Sequence, residues 1–143
     1  MSTANAHGPS WRRLYSAVSH AMNPRGYIVP WHEEQVAPAY LDGPRVLSCA
    51  QCRRHLTYYC YIVSKSFTGR GGRAYLLEDV VNVSVGREEE RLLLTGLHVV
   101  ADICCTGCDE CIGWTYVRAH DASQKYKEGK FIVEKARLRE EPR

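Results

Sequence analysis

No stretch of this chain approaches the roughly 18 consecutive apolar residues that a helix needs to cross a bilayer. Its start also lacks the continuous apolar core of a secretory signal. A soluble, intracellular protein is therefore expected. Strand and helix patterns never alternate, which excludes the βαβ setting in which CxxC pairs do thioredoxin-type redox chemistry. GRGGR, residues 69–73, has no GxGxxG spacing and no lysine following it, so it reads as a turn and not as a phosphate cradle. No acidic residue precedes Glu33, and no cysteine stands before Cys49 or after Cys111.

The 143 residues, 45% apolar and 24% charged, suffice for one ordinary core with tails. A formal charge of +3 is a mild bias, far from the clustered basicity that makes nucleic acid a default partner.

Residues 1–44 differ in character from the rest. They hold Trp11 and Trp31, two of the three tryptophans, and most of the prolines. A poorly ordered, flexible extension is expected there. Within it, Trp11, Leu14, Tyr15, Val18 and Met22 recur at helical spacing beside Arg12 and Arg13. That composition is also that of a mitochondrial transit peptide, an alternative to a tail that folds weakly or on a partner.

From the Asp42-Gly43-Pro44 turn onward the pattern becomes short strands, and residues 45–140 form the expected domain. RVLSC leads into Cys49. Val81, Val83 and Val85 alternate with Asn82 and Ser84. GREEER, residues 86–91, reads as a solvated connection. In the next strand Leu93, Leu97, Val99, Ala101 and Ile103 share one parity, expected to face the core, and His98, Asp102 and Cys104 the other, expected to be a polar face. GWTYVRA and KFIVEKARL are two more strands, joined by the polar loop HDASQKYKEG with one helical turn. The sum is a mainly β protein with an antiparallel sheet of six or so strands.

Seven cysteines, an odd number confined to residues 49–111, argue against a fully paired disulfide framework and for metal. Cys49 and Cys52 form one CxxC, a spacing that lets a tight turn aim two thiolates at one tetrahedral Zn2+. CCTGCDECIGW, residues 104–114, supplies the other half. Cys105 with Cys108, Cys108 with Cys111, and Cys104 with Cys108 are all open. Parity favours Cys105, which continues the inward face of Ile103 and Ala101, and Gly107 suits a knuckle turn. The Asp109-Glu110 knuckle sets two acids beside four thiolates, a less comfortable arrangement that stays open at this level. Four thiolates leave no position for water or substrate, so the metal is structural.

Between about Leu47 and Leu138 the chain resembles the yippee family of zinc-binding proteins. The resemblance rests, in order, on CAQC, GRAYLLEDVVNV, LLLTGLHVVADI, CTGC followed by IGW, and SQKYKEGKFIVE. It implies two CxxC pairs with 52 residues between them, the interval from Cys52 to Cys105, and a second pair three residues ahead of I-G-W. Both counts select Cys49, Cys52, Cys105 and Cys108, holding one structural Zn2+. Cys60, Cys104 and Cys111 are then small buried or partly exposed bystanders. The resemblance further implies a β-tent fold, two antiparallel sheets pinned by zinc, similar to the thalidomide-binding domain of cereblon and to the centromere protein Mis18. Of the three cage tryptophans of the cereblon relative only Trp114 has a counterpart, with Leu94 and Val100 in the other places, so no matching imide pocket is expected. The sulfoxide reductases of the same group need a cysteine late in the chain, and none follows Cys111. Ser123 and His120 lack a third partner or an oxyanion signature.

The expected protein is therefore non-enzymatic: a zinc-stabilised protein-interaction module, nuclear or cytoplasmic. It would be a regulator or subunit of a larger complex, with ubiquitin-ligase assemblies as one association the resemblance implies. Its recognition surface is expected on the face of His98 and Trp114, a tryptophan beside a rigid knuckle being a preorganised anchor. Nucleic-acid binding through Arg53, Arg54, Arg70, Arg73, Arg87, Arg91 and Arg118 is the alternative. The sequence identifies no small-molecule ligand.

Overall fold

A computed structural model of the chain describes residues 20–22, 28–30 and 37–142. The helical spacing that begins at Trp11 lies outside the described residues up to residue 19. Its last three residues, His20–Met22, are strand β1, paired antiparallel with β2 (Ile28–Pro30). Of the expected extension, residues 39–41 are tied to the domain. Ala39 N–H donates to Asn82 Oδ1 at 2.9 Å, and Leu41 N–H to His55 Nδ1 at 2.9 Å.

Nine further strands follow: β3 (Val46–Cys49), β4 (His55–Tyr58), β5 (Ile62–Gly69), β6 (Gly72–Leu77), β7 (Val83–Leu93), β8 (Gly96–Cys105), β9 (Cys111–Ala119), β10 (Phe131–Glu134) and β11 (Leu138–Glu140). They make two antiparallel sheets. The larger has eight strands in the order β1-β2-β7-β8-β9-β10-β6-β5, and the smaller has three, β11-β3-β4. More strands form than the six or so expected. In β5, buried and exposed positions do not alternate cleanly, so its period of two is hidden. KFIVEKARL divides because a 3-10 turn at Lys135–Arg137 carries the chain from β10 in one sheet to β11 in the other.

GREEER is not a connection. It lies inside β7, where Arg87–Glu90 are exposed. A bulge at Gly86-Arg87 shifts the register between Val85 opposite Ile103 and Glu88 opposite Ala101. Among the described residues β2 pairs with β7 at Ile28 and Val85, and the exposed positions Arg87–Glu90 tolerate acids.

The main core fills the space between the sheets: Cys49, Leu56, Leu77, Val85, Ala101, Ile103, Cys105, Ile112, Phe131 and Val133. A second cluster, Ala74, Leu76, Val100, Trp114, Tyr116 and Ile132 with Phe67 and Leu93 against it, covers the other face of the large sheet. The face expected to be polar is thus half apolar. The HDASQKYKEG loop contains a 3-10 turn, Ala122–Lys127, whose first N–H groups are met by Asp121: its side chain accepts from Ser123 N–H.

Candidate metal centre and its surroundings

The two CxxC segments fold alike. In each, the N–H of the residue after the second cysteine donates to the carbonyl of the first: Arg53 to Cys49 at 2.7 Å and Asp109 to Cys105 at 2.8 Å. The first cysteine in turn donates to a carbonyl five residues on, Cys49 to Arg54 and Cys105 to Glu110, both at 2.8 Å. Arg53 (φ 70°) and Asp109 (φ 62°) take the left-handed conformation that closes each turn. Gly107 is needed for close approach: a Cβ there would lie 2.7 Å from Cys52 Sγ.

One knuckle joins β3 to β4 in the small sheet, the other β8 to β9 in the large one, so their meeting fastens the sheets. The sulfurs of Cys49, Cys52, Cys105 and Cys108 all lie within 4.8 Å of one another. Cys49 and Cys108 are 3.7 Å apart, and Cys52 and Cys105 3.5 Å. The structure therefore chooses Cys105 and Cys108 among the three possible pairs. Burial pushes the Cys105 and Cys108 thiols up, against backbone N–H groups of Gly107, Cys108 and Glu110 that favour the thiolates. At Cys49 burial acts in the same sense, but the N–H groups of Cys52 and Gln51 together with the Cys108 and Cys105 thiols hold the thiol low. Several N–H donors turned on clustered sulfurs suit thiolates, and four thiolates at such spacing suit a divalent zinc ion. Zn2+ would be held by all four and would serve as a crosslink.

Asn82, in the left-handed region at φ 60°, ties the layers beside the site. Its side-chain NH2 donates to His55 O at 2.8 Å and Ala39 O at 3.0 Å, and its carbonyl accepts from Thr106 N–H at 2.9 Å. Arg54 donates to Thr106 Oγ1 at 3.1 Å. Sequence reasoning missed this role. The one signal was an asparagine, a residue that tolerates positive φ, inside a valine run.

Cys104 and Cys111 are not bystanders: they form a disulfide across β8 and β9. Ile103 opposes Gly113 and Cys104 opposes Cys111, so Ile112 is an extra, bulged residue. Ile112 packs into the main core, and Cys111 is thereby turned to face Cys104. Among the described residues Cys60 is an exposed free thiol.

His98 and Trp114 do come together, but inside the second cluster: His98 is fully buried and Trp114 is 7% exposed. Both rings surround Tyr116, with centroids 5.3 Å and 6.3 Å from it. Burial pushes the Tyr116 phenol up to about 12. His98 Nδ1 bonds Gly96 O at 2.9 Å, while His98 Nε2 and Trp114 Nε1 complete no hydrogen bond among the described residues. The Lys127 ammonium, also buried, lies 5.4 Å from the Tyr116 ring and donates to Thr95 Oγ1 at 2.8 Å. Trp114 is therefore a wall and not a protruding anchor. It lines a cleft of about 330 Å³ with Arg70, Asp102, Cys111, Glu134 and Arg137.

Two antiparallel sheets fastened by a closed four-thiolate centre define a zinc-binding β domain whose metal is structural. Residues 45–140 match the family described as yippee zinc-binding/DNA-binding and Mis18, centromere assembly. The chain belongs to the yippee family. It is 56% identical over 96 residues to a yippee-like protein of Arabidopsis thaliana, covering 67% of this chain and 91% of that one. To yippee-like 3 of Homo sapiens it is 58% identical over 97 residues, covering 67% and 82%. The crystal structure of the Mis18 yippee-like domain shares the fold, with a TM-score of 0.55 at 21% identity over 71% of this chain and 98% of that one.

Proposed function

We propose that this chain is a non-enzymatic, zinc-stabilised protein-interaction module, acting as a regulator or subunit of a larger nuclear or cytoplasmic complex. The carrying observation is the apolar tip of the β7–β8 hairpin. Leu92, Leu94 and Leu97 are 81%, 96% and 40% exposed, and Leu92 stands directly opposite Leu97. Leucines gathered at a hairpin tip are what a protein partner covers. Leu93, between them in sequence, packs against the cluster of Trp114 and Tyr116, so the tip is rooted in the face of His98 and Trp114. A metal with four thiolate ligands supports a binding role, since it has no position for a reacting group.

Affinity purification from the native cells tests this reading. The Leu92→Ser/Leu94→Ser variant should keep its fold and its zinc yet lose the partners that wild type retains. Retention of every partner sinks the proposal.

The family's description includes DNA binding, which favours nucleic acid as the second reading. Against it, Arg53 pairs with Glu141 at 3.0 Å, Arg70 with Asp102 at 3.5 Å and Arg91 with Asp102 at 3.0 Å, so part of the expected basic set is already neutralised. Binding of labelled DNA or RNA at low salt that falls steeply as salt rises would favour this reading over the first.

A further inference from the structure

The geometry points to the Cys104–Cys111 pair as a thiol–disulfide exchange site for a zwitterionic low-molecular-weight thiol, entered through the cleft over Trp114 and coupled to zinc retention by the adjoining knuckle. Nothing in the zinc centre uses these two cysteines. They face each other in register because the Ile112 bulge turns Cys111 toward Cys104. Their environments are unequal: Cys104 is fully buried, whereas Cys111 is half-buried and lines the cleft. Attack by an incoming thiolate is therefore directed to Cys111, with Cys104 as the leaving sulfur.

The cleft fits a small thiol. Its volume, about 330 Å³, is at the lower end for small-molecule sites. Its walls carry two guanidiniums, Arg70 and Arg137, and two carboxylates, Asp102 and Glu134, the complement of a ligand bearing both carboxylate and ammonium groups. Trp114 supplies an apolar side for the thiol's methylene. Arg70 is bound to Asp102 at 3.5 Å, which also holds Arg91 at 3.0 Å, and Arg137 is bound to Glu110 at 3.1 Å. Arg70 and Arg137 are the more exposed members of their pairs and can turn to a ligand carboxylate at little cost.

The step balances. A thiolate RS⁻ bonds to Cys111 Sγ, the Cys104–Cys111 bond breaks, and its electron pair leaves on Cys104 Sγ, which takes up a proton. A second RS⁻ attacks the sulfur of the bound thiol, releasing RSSR and the Cys111 thiolate. In sum, protein disulfide and two RSH give protein dithiol and RSSR, and the reverse direction uses RSSR as oxidant.

Coupling to zinc follows from position. The disulfide closes residues 105–110, the knuckle carrying Cys105 and Cys108, one step outside the Cys105 N–H to Glu110 O bond. Its sequence separation of 7 closes a short loop, so its entropic contribution is below that of a long-range crosslink. Opening it loosens the base of the knuckle and speeds metal release.

The test uses the zinc-loaded full chain, equilibrated with reduced and oxidised glutathione at stepped ratios, then alkylated and read by peptide mass spectrometry. Cys104 and Cys111 should become alkylated together, following a two-electron dependence, while zinc stays bound. In Cys104→Ser a glutathione adduct should accumulate on Cys111. Zinc transfer to a chromophoric chelator should be severalfold faster from the reduced protein than from the oxidised one. The Cys104→Ser/Cys111→Ser variant should show the fast rate in either buffer. The proposal is overturned if Cys104 and Cys111 are alkylated at every ratio, if the adduct forms on Cys60 instead, or if chelator transfer ignores redox state. Wild-type alkylation decides the exchange site even where a variant misfolds.

Discussion

Removing the metal should unfold residues 45–140. Structural zinc is worth on the order of 10 kcal/mol to small zinc-dependent peptides, comparable with the whole net stability of an ordinary domain. Here its four ligands come from the β3–β4 and β8–β9 connections, so the ion holds together the two sheets that enclose the main core. Without it, Cys49 and Cys105 are left as buried thiols and the small sheet of three strands loses its fastening. Chelation followed by near-ultraviolet circular dichroism and metal analysis should show tertiary signal and zinc lost together. Cys108→Ser should reproduce that loss in the absence of chelator. Cys111→Ser should be purified with one zinc per chain, because Cys111 lies outside the quartet. A native tertiary signal after complete removal of zinc, or loss of zinc from Cys111→Ser with retention in Cys108→Ser, defeats the assignment.

Gly113→Ala should be the most damaging Gly→Ala change among the described glycines. A Cβ at 113 would sit 1.8 Å from Ile132 O, 2.7 Å from its carbonyl carbon and 3.0 Å from Val133 Cα. All three are backbone atoms of β10, the strand to which β9 is paired at this point, so no side chain can swing aside. Overpacking usually costs about 1–3 kcal/mol where neighbours give way, and a clash with a paired backbone belongs at or above the top of that range. The change also moves Trp114, the wall of the cleft. Denaturant melts should place the variant at least about 3 kcal/mol below wild type, with Leu94→Ala near wild type as a surface control. A loss under about 0.5 kcal/mol, the usual size for a surface change, would mean that β9 and β10 are further apart than described.

Cys49 and Cys52 were readable as zinc ligands because a CxxC knuckle is a local object. Its two sulfurs converge through a turn of five residues, and strand parity then continues from Ile103 to Cys105. The resemblance to the yippee family picked Cys105 and Cys108 from the three pairs left open. The β8 face opposite that parity was read as polar because His98, Asp102 and Cys104 stand on it. Its burial was hidden, since Trp114, Tyr116 and Ile132 reach it from other strands. GREEER was misread for a related reason: the exposed strand residues Arg87–Glu90 carry no alternation of apolar side chains. Nor does the residue type of Ile112 mark a bulge. The pairing of Cys104 with Cys111 rests on that one extra residue.

By itself the sequence determined a mainly β, zinc-dependent domain with Cys49 and Cys52 as half of its site, because strand period, knuckle spacing and thiolate chemistry all act over a few residues. Cys105 and Cys108 were favoured by parity and selected by the resemblance to the yippee family. Only the tertiary structure decided which faces are buried, that His98 and Trp114 enclose Tyr116, that the leucines of the β7–β8 tip stay exposed, and that Cys104 meets Cys111. Each of these depends on register and bulges between strands distant in sequence, where one residue of slip turns a side chain to the opposite face.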